Sequence, residues 1–274
     1  MQRMTADSGR FNASGVVTLT TDFGLKDPFV GVMKGQVLAR YRDAHIVDLT
    51  HDVLAHWPAE AGFWLSRSFR YFPPGTVHVA VVDPGVGSER EIAVVETEGH
   101  LFLAPDNGLL AAVVEAAVAA VLRRVGADAL RRLGLGTPSA TFHGRDVFAP
   151  LAAELASGRE QPAALGPPVD ELIPGWIEEA LVGPGQVTGT VVTLDHFGNL
   201  ITNIDGRLLQ GIPHPVVRVA GRDLPLCRTY SDARPGEYLA LVNSFGVLEI
   251  ARAESSAAEG LGLDRGAPIS VFRK

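Results

Sequence analysis

Cysteine is almost absent from this chain. A single Cys227 among 274 residues offers no internal disulfide framework, and no cysteine–histidine spacing of the zinc-binding kind occurs. No apolar run approaches the roughly 20 residues that a membrane helix needs. Positive charge is also in short supply. Lys and Arg number 24 against 31 Asp and Glu, a formal net charge of −7, so no long-range field draws the chain to nucleic acid or to an anionic bilayer. Residues 1–15 form a polar tail without the apolar stretch of a signal peptide. No GxSxG elbow is present, which argues against a serine nucleophile on an α/β-hydrolase scaffold. These absences give the expectation of a soluble, cytoplasmic protein with neither nucleic acid nor membrane as partner. What remains is 46% hydrophobic and 20% charged, the balance of a globular chain long enough for one large or two ordinary domains.

The stretch Val79-Ala-Val-Val-Asp83-Pro-Gly-Val-Gly-Ser-Glu-Arg90 organises the first half. Its apolar run, 77–82, reads as a buried strand that stops at an Asp-Pro-Gly turn. A carboxylate at a strand end followed by a glycine-rich loop is where open α/β sheets bind ligands. Arg90 opens the next strand, 91–96, and can fold back toward Asp83. Other strands are expected at 16–21, 45–49 and 101–104. Helices are expected at 28–38, with Phe29, Val30, Met33, Val37 and Leu38 on one face, at 57–69, from Leu109 onward, and at 147–156 with Gly158 as C-cap. Strands alternating with helices predict an α/β domain over 16–158, its sheet covered on both faces. Residues 159–186, rich in proline and glycine, read as a linker. From 187 to 274 short strands recur at 187–194, 216–219, 238–242, 247–251 and 269–272 without a convincing helix, which predicts a small all-β barrel.

Polar clusters punctuate the strand ends: Asp22, Asp83 with Arg90, Asp106-Asn107, His143, Asp195-His-Phe-Gly-Asn199 and Asn243-Ser-Phe-Gly246. Each alone fits ordinary turn chemistry, which favours Asp, Asn and Gly. His143, just before a helix start, also fits a capping or core role. Several clusters on one sheet edge fit a site better. Asp22, His51, Asp83, Asp106 and His143 are ligand types for a hard metal, yet none stand at HxxxH spacing, and an arginine beside Asp83 would compete with a cation.

Taken in order, Leu19-Thr-Thr-Asp-Phe-Gly24, Val82-Asp-Pro-Gly-Val-Gly87, Pro105-Asp-Asn-Gly108, Phe142-His-Gly-Arg-Asp146, Asp195-His-Phe-Gly-Asn-Leu-Ile-Thr-Asn203 and Asn243-Ser-Phe-Gly246 resemble the S-adenosyl-L-methionine (SAM) hydroxide adenosyltransferase family. That family, the adenosine-forming SAM hydrolases, is related to the SAM-dependent fluorinase and chlorinase. The resemblance covers nearly everything after residue 15. It implies an α/β domain followed by a β-barrel domain. It implies a homotrimer that binds SAM between the first domain of one subunit and the second domain of the next. It implies hydrolysis of SAM to adenosine and L-methionine, and the absence of metal-ligand spacing gives the expectation that no metal or cofactor is needed.

The roles implied by the resemblance fall on Asp83, Arg90 and His143 as the catalytic set that handles water. Asp22 matches the aspartate on the ribose hydroxyls. Trp57 and Phe142 match walls around the ribose and sulfonium. Asp195 and Ser244 match groups at the methionine end, and Asn199 and Arg252 groups around the adenine, with Phe197 substrate-binding in the same motif. The halogenases place a tyrosine at the Asp83 position. The fluorinase also carries a serine where Gly144 stands, a loop near position 98 that is missing here, and an arginine where this chain has Phe245. Halide adenosylation on the same scaffold and non-catalytic SAM binding or sensing are the alternative functions.

Overall fold

The structure is a computed structural model, and it describes residues 10–274. Of the expected polar tail, residues 1–9 lie outside the described residues. Phe11 is buried in the first core, its N–H donating to Gln161 Oε1 at 3.0 Å. The chain divides into two compact units, one ending at Trp176 and the other comprising Ile177–Lys274.

The first unit runs β1 (Val16–Thr21), α1 (Phe29–Arg40), β2 (His45–Thr50), α2 (Pro58–Ser68), β3 (Val77–Val81), β4 (Ile92–Thr97), β5 (His100–Pro105), α3 (Ala111–Ala116), β6 (Val121–Arg124), α4 (Ala127–Arg132), α5 (Ala149–Ala156) and β7 (Pro168–Val169). Its seven strands form one sheet in the order β2-β1-β3-β5-β4-β6-β7. β2, β1, β3 and β5 are parallel, and β4, β6 and β7 add antiparallel strands on one side.

Side chains on a strand alternate between faces, and the core follows that period. Val77, Val79 and Val81 join Val17, Leu19 and Leu103 under Met33 and Val37 of α1 and Leu151 and Leu155 of α5. Ala80, Val82, Phe102 and Ala104 turn the other way, against Ala61 and Leu65 of α2 and Val113 of α3. Both faces are therefore covered, as expected, which is why the central strands read as unbroken apolar runs. His78 sits on the second face, bonded to Thr18 Oγ1 at 2.8 Å and His100 Nδ1 at 3.1 Å and stacked on Phe102.

Several elements differ from expectation. Phe29 and Leu38 belong to the exposed side of α1 rather than its core face. The helix at 147–156 is entered through a π-helical turn, Gly144–Phe148, and the regular helix starts only at Ala149. β6 and α4 were not expected: Val121 and Leu122 close the apolar run 116–122, which reads as part of the alanine- and valine-rich helix from Leu109, whereas α3 ends at Ala116 and the chain re-enters the sheet as β6. The stretch 159–186 is more than a connection: β7 pairs with β6 inside the first unit.

The second unit contains β8 (Leu181–Gly183), β9 (Gln186–Leu194), β10 (Leu200–Asp205), β11 (Pro215–Val219), β12 (Arg222–Pro225), β13 (Tyr238–Val242), β14 (Val247–Arg252), α6 (Ala257–Leu261) and β15 (Pro268–Arg273). Its strands follow the order β12-β11-β15-β9-β10-β14-β13, with β8 beside β9. A bridge from Leu226 to Ala240 joins the two ends, and the Cys227 N–H donates to the Ala240 carbonyl at 2.7 Å, so the sheet nearly closes into a barrel. Val187, Val191, Leu200, Ile250 and Val271 fill its interior. β8, β10, β12 and α6 are additions to the expected set, each short or interrupted by polar residues, and β8 falls inside the stretch read as a linker.

Candidate active site

β1 leads to β2 on one side, and the chain then crosses to place β3 on the other side of β1. The carboxyl ends of β1 and β3 thus flank a point where the strand order reverses, the position at which open α/β sheets form a crevice. Asp22 follows the end of β1, and Asp83 lies two residues beyond β3. A cavity of about 290 Å³ opens there, lined in part by Asp22, Phe23, Phe29, Asp83, Phe142 and His143. Its wall is mainly apolar with a few convergent polar groups, the usual character of a small-molecule site.

Asp83 and Arg90 form a buried pair, with side-chain exposures of 5% and 10%. Arg90 Nε donates to Asp83 Oδ1 and Oδ2 at 3.0 and 2.9 Å, and Arg90 Nη2 donates to Oδ2 at 2.5 Å. The guanidinium packs over the Phe148 ring at 5.4 Å, a contact that adds cation–π attraction to the fork. Removing one partner of so buried a pair would cost roughly 3–5 kcal/mol.

Arg90 also reaches the third residue of the set, its Nη2 lying 2.8 Å from His143 Nδ1. A guanidinium has only donors, so Nδ1 must accept. His143 is therefore neutral here, with its proton on Nε2. Burial pushes its pKa below the usual 6.5, the Arg90 charge pushes the same way, and Asp83 and Asp146 oppose them.

The local sequence explains how these loops meet. Val86 N–H donates to the Asp83 carbonyl at 3.2 Å and Ser88 Oγ to the Gly85 carbonyl at 2.7 Å, which curls the loop back toward Arg90. Gly87 has φ +80°, and a Cβ there would lie 2.1 Å from the Ala140 carbonyl oxygen. Only glycine lets this loop dock on the segment that carries Phe142 and His143. That segment is held in turn by Asp146, which accepts from Ser139 N–H at 2.9 Å. The hydrogen bond from Arg145 and the Ser139 contact hold the Asp146 carboxyl down to about 2. Gly144 lines the cavity, and a Cβ there would lie 3.2–3.3 Å from Met33, Phe142 and Phe23.

Asp22 Oδ2 accepts from the His56 N–H at 2.9 Å. His56 holds φ +64°, an uncommon conformation for a residue with a side chain, and it lines the same cavity. Nothing in the sequence marked it. Behind Asp22, Thr21 Oγ1 meets the buried His51 Nδ1 at 2.8 Å, so His51 braces the strand end. Phe23, Phe29 and Phe142 form an edge-to-face trio with centroids 5.4–6.1 Å apart. Trp57 is exposed and precedes α2, and it does not line the cavity.

The second unit gathers Asp195, Phe197 and Asn199 in the β9–β10 turn. Asp195 Oδ1 accepts from the N–H groups of Phe197 and Asn199 at 3.0 and 2.9 Å, and Oδ2 accepts from Asn199 Nδ2 at 2.9 Å. Phe197 is 73% exposed. Ser244 stands exposed on the β13–β14 turn. Arg252 Nε donates to the Gly236 carbonyl at 3.0 Å and the guanidinium lies over Tyr238. One group was missed. Glu249 is buried and accepts from Tyr230 Oη at 2.7 Å and Asn243 Nδ2 at 3.1 Å. Burial raises its pKa, and the nearby charge of Asp195 adds to the rise. A glutamate in the middle of Val247-Leu-Glu-Ile-Ala251 was the available signal.

Among the described residues no group of three or more His, Cys, Asp or Glu side chains is placed to hold a metal ion. Both Asp83 oxygens are already engaged by a cation. No helix among the described residues is long and apolar enough to cross a membrane.

Comparison with known proteins gives the family. Residues 17–166 match the SAM hydroxide adenosyltransferase N-terminal domain, and residues 189–270 match the C-terminal domain of that family. An (R)-S-adenosyl-L-methionine hydrolase of Thermus thermophilus is 39% identical, over 93% of this chain and 99% of that protein. A fluorinase of an Actinoplanes species is more distant, at 28% identity over 96% of this chain and 99% of its own length. A crystal structure of an uncharacterized conserved protein from Thermotoga maritima superposes with a TM-score of 0.86 at 35% identity, covering 94% of this chain and all of that one. The chain therefore belongs to the SAM hydroxide adenosyltransferase family.

Proposed function

We propose that the chain hydrolyses S-adenosyl-L-methionine to adenosine and L-methionine, through attack of a water on C5′ in line with the departing sulfur. The observation that carries this reading is the hydrogen-bonded set of Asp83, Arg90 and His143 at a largely apolar cavity that Asp22 also lines. The Thermus relative is named for the (R) epimer, and (R)-SAM is the epimer proposed here.

The chemistry asks little of the leaving group. As the bond from water oxygen to C5′ forms, the C5′–S bond breaks with its electron pair going to sulfur, and a neutral thioether departs without a general acid. The water must be aligned and must lose a proton as it attacks. Asp83 keeps lone pairs beyond those used by Arg90, so it can accept from the water and take that proton. His143 Nε2–H is a donor for the water oxygen. A positioned base contributes roughly 10²–10⁴ in rate, and alignment of water and C5′ contributes the rest. The rings of Phe23, Phe29 and Phe142 suit a sulfonium, at about 0.5–2 kcal/mol per cation–π contact. Asp22 takes the ribose hydroxyls, with Phe142 about the ribose and sulfonium. Asp195 and Ser244 serve the methionine end, and Phe197, Asn199 and Arg252 the adenine.

The reading includes a cytoplasmic homotrimer that needs no metal or cofactor, with the first unit of one subunit completing its site from the second unit of the next. Its support is the division of the assigned residues between the two units, together with the exposure of the large apolar side chains Leu25, Leu54 and Trp57 on the first, since exposed apolar surface suits a partner. The test is incubation with each SAM epimer followed by chromatography. Adenosine and L-methionine are expected from (R)-SAM, with chelator present and with no 5′-chloro-5′-deoxyadenosine at high chloride. Adenine release, loss of activity to chelator with recovery on adding metal, or absence of any product would overturn the reading.

A further inference from the structure

Two consecutive residues behind the Asp83–Arg90 pair, Asp106 and Asn107, are unused by the chemistry above. Val82 precedes Asp83 and Glu91 follows Arg90, and the turn after β5 binds the carbonyls of both. Asn107 Nδ2 donates to the Val82 carbonyl at 2.9 Å. The Asp106 N–H donates to the Glu91 carbonyl at 2.9 Å. The turn thus grips the chain one residue before the carboxylate and one residue after the arginine.

The grip is itself anchored. Asn107 Oδ1 accepts from Leu109 N–H at 3.3 Å. Asp106 Oδ2 accepts from Arg124 Nε at 2.8 Å, and its Oδ1 accepts from Ile173 N–H at 2.9 Å. Arg124 Nε also lies 2.8 Å from Glu91 Oε2. β3 ends at Val81, so Val82 lies past the regular strand although it is fully buried. A buried carbonyl needs a partner, and here a side chain supplies it. Without that bond, Asp83 would hang from a strand extension that no other hydrogen bond among the described residues fixes at this carbonyl.

We infer that Asn107 is a positioning residue, which holds the end of β3 so that Asp83 meets Arg90 and the attacking water at a fixed point. The inference rests on the reading of Asp83 as the group that handles water. It requires turnover to be sensitive to Asn107 while substrate binding is not, since small misplacements at a reacting centre cost rate steeply.

The experiment is steady-state kinetics on (R)-SAM for Asn107→Ala and Asn107→Ser, each in the wild-type and the Asp83→Asn background, with Tm measured alongside. Serine keeps an oxygen that can cap the turn but is too short to reach Val82, so it separates the grip from the turn's own stability. Both variants should lower kcat about 10-fold with KM within about 2-fold of wild type. In the Asp83→Asn background the same changes should lower kcat by less than about 2-fold further, because residues acting as a unit are not additive. Wild-type kcat in Asn107→Ser, or the full loss repeated in the Asp83→Asn background, would overturn the inference. Wild-type turnover by Asp83→Asn alone would instead overturn the role of Asp83, and the positioning role with it.

Discussion

Arg90 Nη2 donates to His143 Nδ1 at 2.8 Å, and the same nitrogen donates to Asp83 Oδ2. One guanidinium thereby fixes both the orientation of the carboxylate and the tautomer of the imidazole. Protonating His143 would put a second donor against Arg90 and break the arrangement.

The consequence is a pH profile with a low acid limb. The pKa of His143 lies below its usual 6.5, through burial first and the Arg90 charge second. The neutral form therefore persists below the ordinary imidazole range, and kcat should stay level through neutrality and fall only in acid. His143→Gln should flatten that limb while lowering kcat. A wild-type profile that falls with a midpoint above 6.5 would contradict the assignment.

Asp83 and Asp22 should separate chemistry from binding. Asp83→Asn should reduce turnover by roughly 10²-fold or more with SAM affinity nearly intact. Asp22→Ala should weaken binding by roughly 1–3 kcal/mol, the usual cost of leaving buried hydroxyls without an acceptor. Kinetics together with calorimetry on both variants would decide, and the reverse pattern would exchange the two roles.

The proposed sharing of sites between subunits of a homotrimer can be read by complementation. Asp83→Ala lies in the first unit and Asn199→Ala in the second, and each alone should be inactive. In a closed ring of heterologous contacts, a mixed trimer contains a site built from two undamaged halves. Unfolding and reassembling the variants together should recover partial activity. No recovery, with mixed trimers confirmed by mass spectrometry, would show that each site lies within one subunit.

Acid stability should report on the buried histidine pair. Burial, aided by the His100 charge, holds the His78 pKa down to about 3. The unfolded chain takes up a proton at this residue near pH 6.5, whereas the folded chain does not until about pH 3. Stability at this site is full above 6.5 and drains away as pH falls through that window. The fall in Tm between pH 7 and 5 should be smaller in His78→Gln than in wild type. An equal fall in the two proteins would place the acid sensitivity elsewhere.

Much of the site was legible because its carboxylates end apolar runs. Asp83 and Arg90 announce themselves through 77–82, the Asp-Pro-Gly turn and the arginine at the next strand. The neutral state of His143 was not legible, since it depends on which guanidinium nitrogen faces Nδ1. Asp106 and Asn107 read as an ordinary turn, because their grip exists only once β3, β4 and β5 lie side by side. Phe29 was placed on the core face of its helix by periodicity, whereas in the fold it reaches the cavity beside Phe142. β6 escaped notice because its Val121-Leu122 runs on from the alanine- and valine-rich stretch that reads as helix from Leu109, and β7 because two residues carry no usable period.

The central claim is that water oxygen attacks C5′ and sulfur leaves, and isotope labelling tests it most directly. Turnover of (R)-SAM in ¹⁸O-enriched water, followed by mass spectrometry of both products, should place one ¹⁸O in the 5′-hydroxyl of adenosine and none in L-methionine. Label in the amino-acid product, or adenine in place of adenosine, would contradict the account.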